Sequence, residues 1–286
     1  MELFLFYNVA MKKLFFLALA ILFISGCFCA KFSIFSRKEN SRPDQGLAFK
    51  YPLSNTDSAD AKEPAKKVLI LMYHYVRKVQ KEDNPLGYKL SVDPNAFSEQ
   101  LEWLRENGYH SVSTKDIIEK KITRKSIILS FDDGYEDFYT EALPRLKKYG
   151  FSATCAIIVN QIDTPHYLSK NQIRELVLSG IEIVSHSMNH PDLTALDSRE
   201  LEDELKTSKD VLESEFGIKV ETFVYPYGKF DENIEEKLKN LDYSLGITTK
   251  SGTASLTKNP FKLPRRRVDN RDSFDGFIKK IQTSDW

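Results

Sequence analysis

Two short stretches bring together side chains that could do hydrolytic chemistry. The first is Ser130-Phe131-Asp132-Asp133-Gly134, a pair of carboxylates at the end of the apolar run Ile127-Ile128-Leu129. The run reads as a buried strand, and Asp-Asp-Gly as its exit turn, with Gly134 free to take a positive φ. Neighbouring side chains on an extended segment point opposite ways, so one aspartate can hold a metal while the other acts as a base. The second stretch is His186-Ser187-Met188-Asn189-His190. Histidines four apart can grip one metal ion from a single turn. No glutamate follows His186, so the pattern is not that of the zinc proteases. Pro191 disfavours helical geometry at His190, and a short loop is expected. Two histidines need a third ligand, which Asp132 or Asp133 can supply.

A metal matters for this chemistry. Free water has a pKa of about 15.7 and a carboxylate one near 4, a gap of roughly 16 kcal/mol for proton transfer. Zinc lowers the pKa of a bound water to about 7, which leaves roughly 4 kcal/mol. An aspartate base then suffices.

Strands and helices alternate from residue 67 onward. Strands are expected at 68–73, 126–131, 151–159, 181–185, 221–225 and 243–247, with another short one closing at Val268. Helices are expected at 96–107, 136–149 (interrupted by Pro144), 169–179, 197–216, 233–240 and 273–281, several of them closed by glycine. The charge run at 197–216 reads as a solvated face. About seven strand–helix units predict a parallel sheet closed into a barrel. Four strands run into polar groups at their C-terminal ends: His74, the Asp132-Asp133 pair, His186, and Pro226-Tyr227-Gly228. In a β/α barrel those ends share one face, where catalysis sits. His110 and His166 belong to no such pattern, and Trp103 and Tyr135 are read as core aromatics before sugar-stacking ones.

The chain has 286 residues, with 41 basic and 41 acidic side chains, so no electrostatic case for nucleic acid exists. Residues 1–30 read as a signal: Met11-Lys12-Lys13 precedes an apolar run, and Met11 is a second possible start. Ile24-Ser25-Gly26-Cys27 resembles a lipoprotein signal in which Cys27 is lipidated, with an ordinary signal cleaved after Ala30 or an uncleaved anchor as the alternatives. Acyl chains would hold the protein at a membrane face. Residues 31–66, polar and without period, predict a tether, and residues 67–286 one catalytic domain with no second domain after Trp286. Cys155 lies in an apolar run and reads as a packed thiol; three cysteines, two of them in the leader, imply no disulfide framework.

Ser-Phe-Asp-Asp-Gly, His-Ser-x-x-His and Tyr-Pro-Tyr-Gly together resemble the first three motifs of the polysaccharide deacetylases (carbohydrate esterase family 4, the NodB homology domain), over roughly residues 67–270. The resemblance implies an α/β fold, a distorted (β/α) barrel of about seven strands, and removal of acetyl groups from a glycan with a divalent metal, Zn²⁺ being the usual one. By position it implies Asp132 as base, Asp133, His186 and His190 as metal ligands, the Tyr227 N–H as oxyanion donor and Ser187 as a brace of the metal loop. Two departures are visible. The third motif starts at Tyr225 where an arginine is common, and Arg265, Arg266 or Arg267 is expected to supply that charge. No histidine follows His190, while His74 ends the first strand. This resembles the circularly permuted branch that includes exported poly-N-acetylglucosamine deacetylases, in which His74 would protonate the leaving amine. A peptidoglycan or chitooligosaccharide substrate, and a non-catalytic lipid-anchored glycan-binding protein, are the alternatives at this level. The expected location is the bacterial cell envelope.

Overall fold

A computed structural model describes residues 65–82 and 84–283. The leader, Cys27 and nearly all of the expected tether lie outside the described residues. Among the described residues, seven parallel strands close into a ring: β1 (Lys67–Tyr73), β2 (Ser126–Phe131), β3 (Thr154–Ile157), β4 (Glu182–Ser185), β5 (Thr222–Val224), β6 (Leu245–Ser251) and β7 (Leu263–Arg267). They follow one another around the ring in chain order, and β1 closes it by pairing with both β2 and β7. Ala254–Ser255 pairs antiparallel to the start of β1, and His110–Ser111 extends the edge of β2. Ala65 N–H donates to the Ile122 carbonyl and Lys66 C=O accepts from Leu256, which ties both residues to the barrel.

Alternation along the strands builds two apolar layers. Val68, Ile70, Ile128, Ala156, Val184, Val224, Ile247 and Leu263 fill the barrel interior. Leu69, Leu71, Ile127, Leu129, Cys155, Ile183 and Phe223 pack outward beneath the helices. A parallel barrel buries both faces of its strands, which is why β1 and β2 read as unbroken apolar runs instead of alternating ones. The same alternation carries polar residues inward at the top. Positions 74, 132, 186, 265 and 267 continue the interior rows of β1, β2, β4 and β7.

Several expected boundaries shift. The strand expected at 151–159 pairs only over Thr154–Ile157, and the strand expected to close at Val268 is Leu263–Arg267. The helix expected at 136–149 opens with a π turn, Phe138–Ala142, before Leu143–Tyr149. The wider turn tolerates Pro144, which lacks the N–H an α turn would use. The helix expected at 197–216 is likewise split by a π turn at Asp203–Thr207, and Asp197 caps it with a full capping box. No helix among the described residues is long and apolar enough to cross a membrane.

Candidate active site

The four polar strand ends meet at one mouth of the barrel. Asp132 is buried, and Arg265 reaches it from β7 across the interior with two parallel bonds, Nη1 to Oδ1 at 2.6 Å and Nη2 to Oδ2 at 2.8 Å. The guanidinium is fully buried and is itself positioned by Ser130 Oγ (3.0 Å) and the Thr248 carbonyl (2.9 Å). Of the three consecutive arginines, only Arg265 pairs with the aspartate. Arg266 points outward to Thr283, while Arg267 shares the inward row one step nearer the mouth. Burial pushes the Asp132 pKa up, and the Arg265 charge more than reverses this, holding the carboxyl well below the usual range. His74 Nε2 stands 4.0 Å from Asp132 Oδ2. Burial lowers the His74 pKa; the two aspartates raise it, Arg267 and Arg265 lower it, and the net direction is down.

Asp133 follows Asp132 with φ 75°, a left-handed conformation that swings its carboxylate away from its neighbour's. Gly134, with φ 77°, allows the chain to leave over β3, where a Cβ would meet Ile157 Cδ1 at 3.0 Å. His186 Nε2 lies 3.4 Å, and His190 Nε2 3.6 Å, from the same Asp133 oxygen. His186 Nδ1 is 2.6 Å from the Val224 carbonyl, which can only accept, so Nδ1 carries a hydrogen and Nε2 is the ring nitrogen left to face Asp133. A ring fixed in this way by a backbone carbonyl is the usual setting of a metal-bound histidine. Burial pushes the His186 pKa down, and the Asp133 and Asp132 carboxylates carry it above its ordinary value, so this corner of the mouth attracts positive charge.

One donor atom from each of Asp133, His186 and His190 lies within 4.8 Å of the others. Ligands bonded tetrahedrally to zinc at about 2.0–2.2 Å stand about 3.3–3.6 Å apart. The two nitrogen–oxygen separations fall in that range and are long for hydrogen bonds. The residues fit a divalent metal, and among the open choices it is Asp133 that joins the histidines, while Asp132 is committed to Arg265.

The histidine loop is tightly held. Ser187, with φ 66°, accepts the His190 N–H on its hydroxyl at 2.9 Å. Its own carbonyl accepts Val159 N–H, and the Met188 carbonyl accepts Asn160 N–H. His190 and Tyr227 are also left-handed, both at φ 58°. Residues held in such regions cost about 1–3 kcal/mol each and gather at functional sites. The Tyr227 ring is 60% exposed and meets His190 edge-on at 4.5 Å between centroids. Gly228 is required beside it, since a Cβ there would lie 2.7 Å from the Thr249 backbone nitrogen.

His110, His166 and Trp103 lie away from the mouth, while Tyr135 follows Gly134 at its edge, close enough to feel the Asp133 charge. His110 bonds Thr123 and Ser126 near the start of β2, and His166 lies on an exposed loop. Trp103 packs against Tyr109 and Phe277. Tyr135 is stacked between Tyr75 and Tyr167.

A family model described as polysaccharide deacetylase matches residues 119–246, a stretch that includes Asp132, Asp133, His186, His190 and Tyr227 but neither His74 nor Arg265. YxkH of Bacillus subtilis (strain 168), itself assigned to the polysaccharide deacetylases, is 31% identical over 228 residues, 77% of this chain and 79% of its own length. The poly-beta-1,6-N-acetyl-D-glucosamine N-deacetylase of Escherichia coli (strain K12) is 28% identical over 242 residues, 68% of this chain and 36% of that protein. The Streptococcus pyogenes deacetylase PplD, solved in complex with acetate, superposes with a TM-score of 0.71 at 29% identity, covering 76% of this chain and 99% of that one. Sequence, barrel and mouth thus agree, and the chain belongs to the polysaccharide deacetylase family.

Proposed function

We propose that this protein is an exported, metal-dependent N-deacetylase of a glycan containing N-acetylglucosamine, with poly-N-acetylglucosamine as the favoured substrate. The observation that carries the reading is the convergence of Asp133, His186 and His190 beside an aspartate already neutralised by Arg265. The activity for which relatives such as the Escherichia coli enzyme are named supports the choice of polymer.

Each group has one task in the proposed reaction, in which water adds to the acetyl carbonyl, the C–N bond breaks, and acetate and a free amine leave. Asp132 accepts the proton of the attacking water. Arg265 occupies one lone pair on each of its oxygens, and a carboxylate has about two more to offer. The pairing keeps Asp132 ionised but makes it a weak base. A divalent metal, with Zn²⁺ the proposed ion, would supply the missing acidity, lowering the pKa of a bound water from about 15.7 to about 7 and polarising the carbonyl. The Tyr227 N–H donates to the developing oxyanion. His74 delivers its Nε2 proton to the departing amine nitrogen. Ser187 keeps the histidine loop in register. Export and anchoring through Cys27 at the bacterial cell envelope complete the reading; replacing Cys27 with serine should move the protein from the membrane fraction to the soluble one.

The direct test is acetate release from N-acetylglucosamine oligomers of β-1,6 and β-1,4 linkage, using the full chain stripped of metal and then reloaded with zinc. Zinc-dependent release with preference for the β-1,6 oligomer is expected. Preference for β-1,4 would redirect the substrate towards chitin- or peptidoglycan-like glycans, and equal release with and without metal would overturn the metal-dependent reading.

A further inference from the structure

The histidine loop receives a third support that comes from a different element. Glu204 sits in the π turn Asp203–Thr207 and is buried, at 8% exposure. Its Oε2 accepts two consecutive backbone N–H groups, Met188 at 2.8 Å and Asn189 at 2.9 Å, and its Oε1 accepts the Asn189 side-chain amide at 2.6 Å. Among the described residues no lysine, arginine or histidine lies within ion-pair distance of this carboxylate. It is compensated by the loop's own amides, as an anion is in a backbone nest. Four residues on, Ser208 Oγ lies 2.8 Å from Ser185 Oγ, which in turn accepts Ser187 N–H at 3.3 Å. One face of this helical segment therefore takes the amides of residues 188 and 189 directly and reaches that of residue 187 through Ser185. The two histidines stand on either side of that grip.

We propose that Glu204 is the positioning residue of the His186–His190 pair: it fixes the loop shape that brings both Nε2 atoms to one Asp133 oxygen. The loop cannot hold that shape by local preference, because Ser187 and His190 are both left-handed without being glycine. Glu204, Leu205 and Ser208 share the inward face of this segment, where Leu205 and Ser208 are fully buried. The inference rests on the metal-site reading for its consequence, but its first step, control of loop shape, stands on the hydrogen bonds alone.

The test uses the full chain and the variants Glu204→Ala and Glu204→Gln. The glutamine variant keeps the volume while turning an amide N–H₂ towards groups that are all donors. In the metal-free proteins, amide exchange at Met188 and Asn189 should accelerate at least about tenfold, beyond any change at barrel amides such as Leu129. Zinc affinity, read by competition with a chromophoric chelator, should weaken by about 10- to 100-fold in both variants. The absorption spectrum of the cobalt-loaded protein should shift. Should Glu204→Ala melt below the assay temperature, Glu204→Gln decides. Unchanged exchange at the two amides overturns the proposal whatever the metal does. Accelerated exchange with unchanged zinc affinity confines Glu204 to the loop and overturns its link to the ligands. If the parent protein binds no zinc while the exchange effect is present, the metal-site reading is what fails.

Discussion

The two ends of the barrel each hold a carboxylate on the interior row, buried at the mouth and part-buried at the floor, and they treat it in opposite ways. At the floor, Glu182 at the start of β4 accepts four bonds from neutral donors: Thr114 N–H, Thr114 Oγ1, Lys115 N–H and Thr154 Oγ1, all at 2.7–3.0 Å. The short helix Thr114–Ile118 closes the barrel there, and Thr222 bonds Thr114 at 2.6 Å. Burial raises the Glu182 pKa against those donors. At the mouth, Asp132 is paired with a guanidinium that lowers its pKa, and lone pairs remain for a substrate. The floor has left-handed residues of its own, at Lys120, Lys125 and Asp242, but its carboxylate is saturated with donors. The mouth has left-handed residues at Asp133, Ser187, His190 and Tyr227, and three ligand atoms aimed at one point. A buried carboxylate therefore says little about function by itself; what separates the two ends is whether the surrounding donors use it up.

The comparison is most exposed to Asp132→Asn. Turnover should fall by about 100- to 10,000-fold, the contribution of a positioned acid or base, while zinc content measured by elemental analysis stays near that of the parent. Full activity in that variant would remove Asp132 from the chemistry. The matching change at the floor is Glu182→Gln, which sets an amide donor against donors. A stability loss of about 1–3 kcal/mol in denaturant is expected, with turnover unchanged under conditions where the variant is folded. A comparable loss of turnover would mean that the ends are coupled and the contrast is false. The smallest effect is expected from Arg267→Gln. Arg267 lowers the His74 pKa, so removing its charge should raise it. A proton donor acts only below its pKa, so the alkaline limb of the rate profile should move to higher pH. A limb that stays put would show that His74 is not the donor.

Much of the mouth could be read in the sequence, because apolar strands running into polar residues survive errors in strand length. Six of the seven strands were expected in place, and parity then brings His74, Asp132 and His186 to one interior layer. β7 was the hard element. Leu263-Pro264-Arg265-Arg266-Arg267 does not resemble a buried strand, since its inward arginine makes sense only once Asp132 stands opposite. For the same reason three arginines could not be told apart before the register was known. Glu204 was hidden in a charge-rich helix whose face reads as solvated, and a π turn leaves no signature in residue spacing. Tertiary partners decide both cases, and those partners lie far away in the chain.

The Asp132–Arg265 pair joins residues 133 positions apart, and the strand that brings Arg265 is also the one that closes the ring onto β1. During synthesis, every candidate ligand has been made some 75 residues before the group that tames the aspartate emerges. A chain interrupted before β7 would keep Asp133, His186 and His190 but would leave Asp132 without its guanidinium in a barrel open between β6 and β1. Closure of the ring and arming of the mouth are thus one event.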